Sequence, residues 1–257
     1  MLNARQQHCL RGIGITQWRD RPDLSAGESE SFSDSPEPSV SVHTTEIPTN
    51  AENAKPAKET PLEAQPAVET PAPVLDHWDG IIESIHACQA CELAQACTRK
   101  VPGVGDQNAR LLIVGEGPGH DEDIQGEPFV GRSGQLLTRM LAAIGFEREQ
   151  VFITNIVKCR PPNNRDPKLE EANQCRSFLM AQIEQIKPDV ILSAGRVSAH
   201  HLLNSNQPVG KLIQQMHQLP GTEIPVKVTY HPAYLLRNPS AKAVAWQDMK
   251  QLYHLLQ

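Results

Sequence analysis

Four short apolar runs mark the chain beyond Leu75: Leu111 to Val114, Val151 to Thr154, Val190 to Ser193 and Val226 to Tyr230. Each is rich in Val, Ile or Leu and ends near turn residues, so each is predicted to be a buried strand. Between the runs the period changes. Leu136, Leu137, Met140, Leu141 and Ile144 share one helical face after Gly134, and Leu169 to Ile186 forms a longer amphipathic segment that Lys187 and Pro188 stop. A last helix is predicted after Pro239, capped by Ser240 and burying Ala245, Met249, Leu252 and Leu256. Strands alternating with helices place the domain in the α/β class, as a three-layer α/β/α fold around a central four-stranded parallel sheet.

Composition divides the chain before that domain. Residues 22–75 are rich in Ser, Glu, Pro, Thr and Ala with no apolar periodicity, and are expected to be a disordered acidic linker. Residues 1–21 differ, because Leu10, Ile13, Ile15 and Trp18 interrupt a polar background in the manner of a short docking peptide. Residues 76–257 then have the size of one ordinary domain. Residues 1–75 hold 6 Lys or Arg against 11 Asp or Glu, so nearly all of the net charge of −6 lies outside the domain. A near-neutral domain remains compatible with a local basic groove for nucleic acid. No apolar run is long enough to span a membrane and the start lacks the core of a secretory signal, which points to the cytosol and to reduced cysteines.

Ligands of open parallel sheets collect at the carboxyl ends of the strands. The first run leads into Gly115-Glu116-Gly117-Pro118-Gly119-His120-Asp121-Glu122-Asp123, the second into Asn155, the third into Gly195 and the fourth into His231 through Arg237. An acidic glycine loop, an amide and an imidazole are therefore expected on one rim. Cys88 and Cys91 form a C-x2-C pair, with Cys159 and Cys175 far downstream. Four such thiolates suit a structural zinc or an iron-sulfur cluster, while the plainer alternative is a set of small buried residues. Cys159 sits in a Lys-Cys-Arg-Pro-Pro loop rather than an apolar strand, which argues against that alternative; Cys9 and Cys97 fit no second pair.

The ordered motifs GEGPGHDED, EPFVGRSGQLL, TNIVKCRPPNNRDP and HPAYLLRNP resemble the family-four uracil-DNA glycosylases, the type that carries a [4Fe-4S] cluster, over about residues 80–257. The resemblance implies that Cys88, Cys91, Cys159 and Cys175 hold the cluster and that Cys97 does not. It places Phe129 as the platform on which uracil stacks, Glu116 and Glu122 as the carboxylates that position water, with Glu116 the stronger candidate, and Gly117 as a point of close backbone approach. It also implies a DNA wedge in the segment Leu235, Leu236 and Arg237, with Arg237, Arg160 and Arg165 as phosphate contacts. Family-one enzymes use an aspartate in the loop GQDPYH, which this chain lacks.

The chemistry suits those residue types. An enzyme acting on a base in a duplex must extrude it, read its edge and stack its ring. Asn155 offers a carbonyl to uracil N3–H and an amide to O4, and cytosine would fail both contacts. Cleavage of the glycosidic bond leaves negative charge on the uracil, so a donor at O2 is needed, and His231 fits. No lysine is placed for a Schiff base, which predicts a monofunctional enzyme that starts base excision repair without cutting the strand.

Residues 5–21, RQQHCLRGIGITQWRDR, resemble the N-terminal peptide of the psi subunit of bacterial DNA polymerase III. That resemblance implies a tether to the clamp loader, and with it a bacterial, cytoplasmic, nucleoid-associated monomer acting on uracil-containing DNA. The rival reading is a catalytically inert, glycosylase-like subunit of the clamp-loader assembly. Such a subunit need not keep Asn155, Phe129, His231 and four ligand cysteines together. A variant that traps uracil-DNA through a histidine in an inserted loop is also disfavoured, because no such insertion lies between Gly131 and Leu136.

Overall fold

The computed structural model of the chain describes Arg11, Gly12, Gly14 and residues 75–257. Six strands form one sheet in the order β1-β3-β2-β4-β6-β5, where β1 is Val104–Gly105, β2 Leu111–Gly115, β3 Phe152–Asn155, β4 Val190–Ala194, β5 Met216–Gln218 and β6 Pro225–Thr229. The four predicted runs are β2, β3, β4 and β6, and they pair in parallel at the centre. The edge strands β1 and β5, each antiparallel to its neighbour, were not predicted. They span 2 and 3 residues, too few to show a period.

The residues of β2 and β4 are buried throughout because the sheet is covered on both faces. On one face Leu111 and Ile113 of β2 pack with α4 (Arg132–Ala143) and α9 (Lys242–Leu255). On the other, Leu112 and Val114 pack with α2 (Leu93–Ala96) and α5 (Leu169–Ile186). Helix α1 (Trp78–Ala87) lies outside α5, burying Ile81 and Ile85 against Phe178 and Ala181. Full burial of one such side chain contributes about 1.5–3 kcal/mol, so the alternation of faces along β2 is what orders the three layers. After β2 the chain crosses to β3 on one side, and after β3 it returns to β4 on the other. The crevice opened by that reversal lies at the carboxyl ends of the strands.

The last helix is capped differently from expectation. Ser240 falls inside a 3-10 turn, Pro239–Ala241, and Ala241 is the residue before α9, with no side-chain cap. Proline at the first position of that turn starts it, so no hydroxyl cap is required. The predicted burial of Ala245, Met249, Leu252 and Leu256 is observed. Most of the expected docking peptide, residues 1–21, and nearly all of the linker, residues 22–75, lie outside the described residues. Of the peptide, Gly14 N–H donates to Arg11 O, and Arg139 on α4 donates to Gly12 O at 3.3 Å. Among the described residues no helix is long and apolar enough to cross a membrane.

Candidate active site

A cleft of about 770 Å³ opens at the carboxyl ends of the central strands, lined by Glu116, Gly117, Phe129, Asn155, His231 and Arg237 among others. The glycine loop, the amide and the imidazole expected on one rim therefore meet. Asn155 ends β3 directly opposite Gly115 of β2. A side chain at Gly115 would collide with both readers of the pocket, because a Cβ there would lie 2.3 Å from Asn155 Oδ1 and 2.6 Å from the Phe129 ring. Gly115 is thus what lets amide and aromatic ring share one pocket. Asn155 is 2 % exposed, and its side-chain amide has no hydrogen-bond partner among the described residues. The amide is not sealed from the cleft, so its donor and its acceptor are both offered to whatever enters there.

Phe129 is buried and holds φ at 55°, a left-handed conformation that is uncommon for a bulky residue and marks stored strain. Glu122, on α3 (His120–Gln125), holds it there. Its carboxylate accepts from Val130 N–H and Gly131 N–H at 3.1 and 3.2 Å and from Gly119 N–H at 3.1 Å. Three backbone donors thus engage the Glu122 carboxylate, which braces the stacking loop while still lining the cleft.

His231 precedes α8 (Pro232–Arg237), and its Nδ1 accepts from Ala233 N–H at 3.1 Å. With Nδ1 serving as acceptor, the proton of the neutral ring resides on Nε2, which is then a donor. Burial, aided by the charge of Arg237, pulls the imidazole down to about 4, so it is neutral at physiological pH. The ring stacks with Phe129, centroids 5.5 Å apart. Glu116 accepts from Val197 N–H at 3.2 Å, at the start of α6 (Arg196–Leu203). Burial raises its carboxyl above the ordinary range, with the charge of Asp166 acting the same way and the Val197 hydrogen bond acting against it. Gly195 makes this approach possible: its φ is 106°, and a Cβ would lie 2.5 Å from Glu116 Oε1 and 3.0 Å from His231 Cβ. The two groups thus flank one strand end.

Helix α8 separates the two candidate wedge residues. Leu235 is 1 % exposed and belongs to the core formed with α4 and α9, whereas Leu236 is 37 % exposed. Leu235 is therefore removed as a wedge, because a side chain that fills the core cannot also enter DNA. Tyr234, also exposed, stacks on Tyr230 at the cleft wall, a pair that no sequence signal marked. Arg237 is exposed and has no hydrogen-bond partner among the described residues. Arg165 differs, since it makes a two-pronged pair with buried Glu171 at 2.6 and 2.8 Å. Its guanidinium is committed to the loop before α5 and is not free for a phosphate. Arg160 donates to Asn164 Oδ1 at 2.7 Å and lies 3.0 Å from His120 Nδ1 at the surface.

The cysteines gather at one corner where α1, α2, the loop after β3 and α5 meet. Cys159 and Cys175 are buried in one core cluster with Cys91 and Cys97 packed against it, and Cys88 packs beside Phe178. None is in a disulfide. Burial pushes the Cys175 thiol up to about 11, with Cys91 and Cys88 adding to the shift and Lys158 opposing it. Cys159 is raised still further by burial and by its contact with Cys97. Among the described residues no three side chains are drawn tightly enough to grip a metal ion. In donor type the set suits an iron-sulfur cluster: Cys88, Cys91, Cys159 and Cys175 are free thiols at this corner, and Ala90 N–H donates to Cys88 Sγ at 3.5 Å.

A covered sheet, parallel at its centre, with an amide, a neutral imidazole and a buried carboxylate at its switch point has the layout of an α/β enzyme's ligand cleft. Comparison with known proteins agrees: residues 102–250 match the uracil DNA glycosylase superfamily. The chain is 41% identical over 187 residues to the type-4 uracil-DNA glycosylase of Archaeoglobus fulgidus, covering 70% of this chain and 94% of that protein. It is 45% identical over 162 residues to the type-4 enzyme of Thermotoga maritima, covering 62% and 83% respectively. A DNA polymerase of Bacillus phage SP01 is 29% identical over 160 residues, which are 62% of this chain and 17% of that protein. The chain belongs to the type-4 uracil-DNA glycosylases, as the motifs implied. It is a DNA-repair hydrolase, and the inert-subunit reading finds no support among these relatives.

Proposed function

We propose that the chain flips uracil out of DNA into the cleft and hydrolyses its N-glycosidic bond without cutting the strand. The observation that carries this is the side-chain amide of Asn155, presented to the cleft beside Phe129 with no protein partner among the described residues. Its carbonyl accepts from uracil N3–H and its amide donates to O4, while the Phe129 ring stacks on the base. Cytosine would leave both groups unpaired, at about 1–3 kcal/mol each.

As the C1′–N1 bond breaks, its electron pair moves into the uracil ring and onto O2, and His231 Nε2–H donates to that oxygen. A neutral donor serves here because it stabilises the anion without surrendering its proton in the ground state. Glu116, ionised at neutral pH, orients the water that adds to C1′ and takes up its proton. Leu236 fills the gap left in the stack, and Arg237 at the mouth holds a backbone phosphate. No lysine lines the cleft among the described residues, consistent with hydrolysis rather than Schiff-base chemistry.

Cys88, Cys91, Cys159 and Cys175 would hold a [4Fe-4S] cluster. Bound there, the cluster supplies a cross-link among elements distant in sequence, and hydrolysis requires no electron from it. Residues 1–21 would tether the enzyme to the clamp loader in the bacterial cytoplasm, since a short apolar peptide on a long linker raises local concentration.

The decisive test uses a labelled oligonucleotide with one uracil. Intact protein should create a site cleaved only after alkali, and Asn155→Ala should slow its formation by about a hundredfold or more. Strand cleavage before alkali, or an unimpaired Asn155→Ala, would overturn the scheme.

A further inference from the structure

One buried charge has no part in the chemistry above. Lys158, 2 % exposed, follows β3 by three residues and adjoins Cys159. Its Nζ donates to Thr154 Oγ1 at 2.6 Å, Gln182 Oε1 at 2.7 Å and the main-chain oxygen of Asn155 at 3.0 Å. An ammonium has three donors, and all three are used. The acceptors cannot turn away, because the Thr154 hydroxyl and the Gln182 amide N–H both donate to Pro102 O, at 2.8 and 2.9 Å. Their oxygens are left with lone pairs only. The Thr154 hydroxyl also lies 3.4 Å from Gln182 Oε1, so Thr154, Lys158, Gln182 and Pro102 close into one buried polar cluster.

No carboxylate among the described residues pairs with Lys158. Burying an amine here is costly even with Cys175 nearby, and an apolar side chain of similar length would fill the same space without that cost. Packing therefore does not account for a cation here. What the cation does uniquely is grip the peptide oxygen of Asn155 from the side away from the cleft. Gln182 lies on α5 two turns beyond Cys175, and Lys158 is the neighbour of Cys159.

We propose that Lys158 is a positioning residue for uracil recognition, which holds the Asn155 backbone so that its side-chain amide keeps its aim, and which joins that aim to the two elements bearing Cys159 and Cys175. The proposal rests on the reading of Asn155 as the group that recognises uracil. A buried network closed on four residues restricts the strand end, and placement errors of about 1 Å in such sites cost on the order of a hundredfold in rate.

A double-mutant cycle in the full-length protein tests it, with single-turnover excision of uracil as the readout. Lys158→Met should slow excision about tenfold to a hundredfold while changing KM for DNA less than about twofold, because the phosphate contacts are untouched. In an Asn155→Ala background, Lys158→Met should cause no further loss beyond about twofold, since a residue that acts through another has nothing left to position. Losses that multiply, or an unchanged rate for Lys158→Met alone, overturn the proposal and leave the reading of Asn155 intact. An unchanged rate for Asn155→Ala alone instead removes that reading, and the proposal falls with it. If Lys158→Met does not accumulate folded, Gln182→Met takes its place in the same cycle, removing one acceptor while keeping the volume of the helix side chain.

Discussion

At the scale of single residues the site is an arrangement of protonation states. The proposed mechanism needs Glu116 ionised and His231 neutral, and the two environments set an order for their titration. Burial lifts Glu116 above the ordinary carboxylate range, while burial pulls His231 down to about 4. As pH falls, Glu116 protonates first. The single-turnover rate should therefore decline on one acid limb that is set by Glu116 and lies above the usual carboxylate value. Glu116→Gln should lower the plateau and abolish that limb. A limb near the ordinary histidine value of 6.5 that persists in Glu116→Gln would contradict the neutral imidazole. Stability follows the same depressed pKa: the unfolded chain takes up a proton near 6.5 and the folded one only near 4, so the contribution is complete above 6.5 and is lost as pH falls through that window.

At the scale of elements, the question is what keeps four strand ends in register. β6 delivers His231, and it is bolted from below by a buried pair, Lys227 with Asp248 of α9 at 2.9 Å. Asp248 also accepts from Thr229 Oγ1 at 2.8 Å, and Lys227 donates to Ile213 O at 2.6 Å. Removing one partner strands the other charge in the core. Asp248→Ala should cost about 3–5 kcal/mol in denaturant unfolding, against a much smaller cost for the joint replacement Lys227→Met and Asp248→Leu. Equal losses for the single and joint variants would refute the stranded-charge explanation. The cysteine corner is the second such fastening. Cys175→Ala should abolish the iron and acid-labile sulfide of purified protein and lower its thermal midpoint, because a cross-link among α1, α5 and the loop after β3 would be gone. Iron content equal to wild type would show that Cys175 is not a ligand.

At the scale of the whole molecule, a compact enzyme follows an acidic, proline-rich segment with an apolar peptide at its start. A peptide of residues 1–24 should bind the clamp loader saturably, and Trp18→Ala should weaken that binding; no saturable signal would end the tether hypothesis. The sequence by itself determined the layered α/β fold, because apolar runs and helical periods report burial directly, and it marked the candidate site residues that sit in ordered motifs and line one cleft. Asn155, Phe129, His231 and Glu116 were legible for that reason, each placed just beyond a strand or inside a motif. Only the tertiary structure decided the rest, since it depends on contacts between residues far apart in the chain. It decided that Leu235 belongs to the core and Leu236 to the surface, two neighbours that one motif leaves equal. It assigned Glu122 to the backbone of the Phe129 loop and Arg165 to Glu171. It also surrounded Lys158 with Thr154, Gln182 and the Asn155 carbonyl. Burial follows a local pattern and can be read along the chain, whereas the partner of a polar group is chosen by the fold.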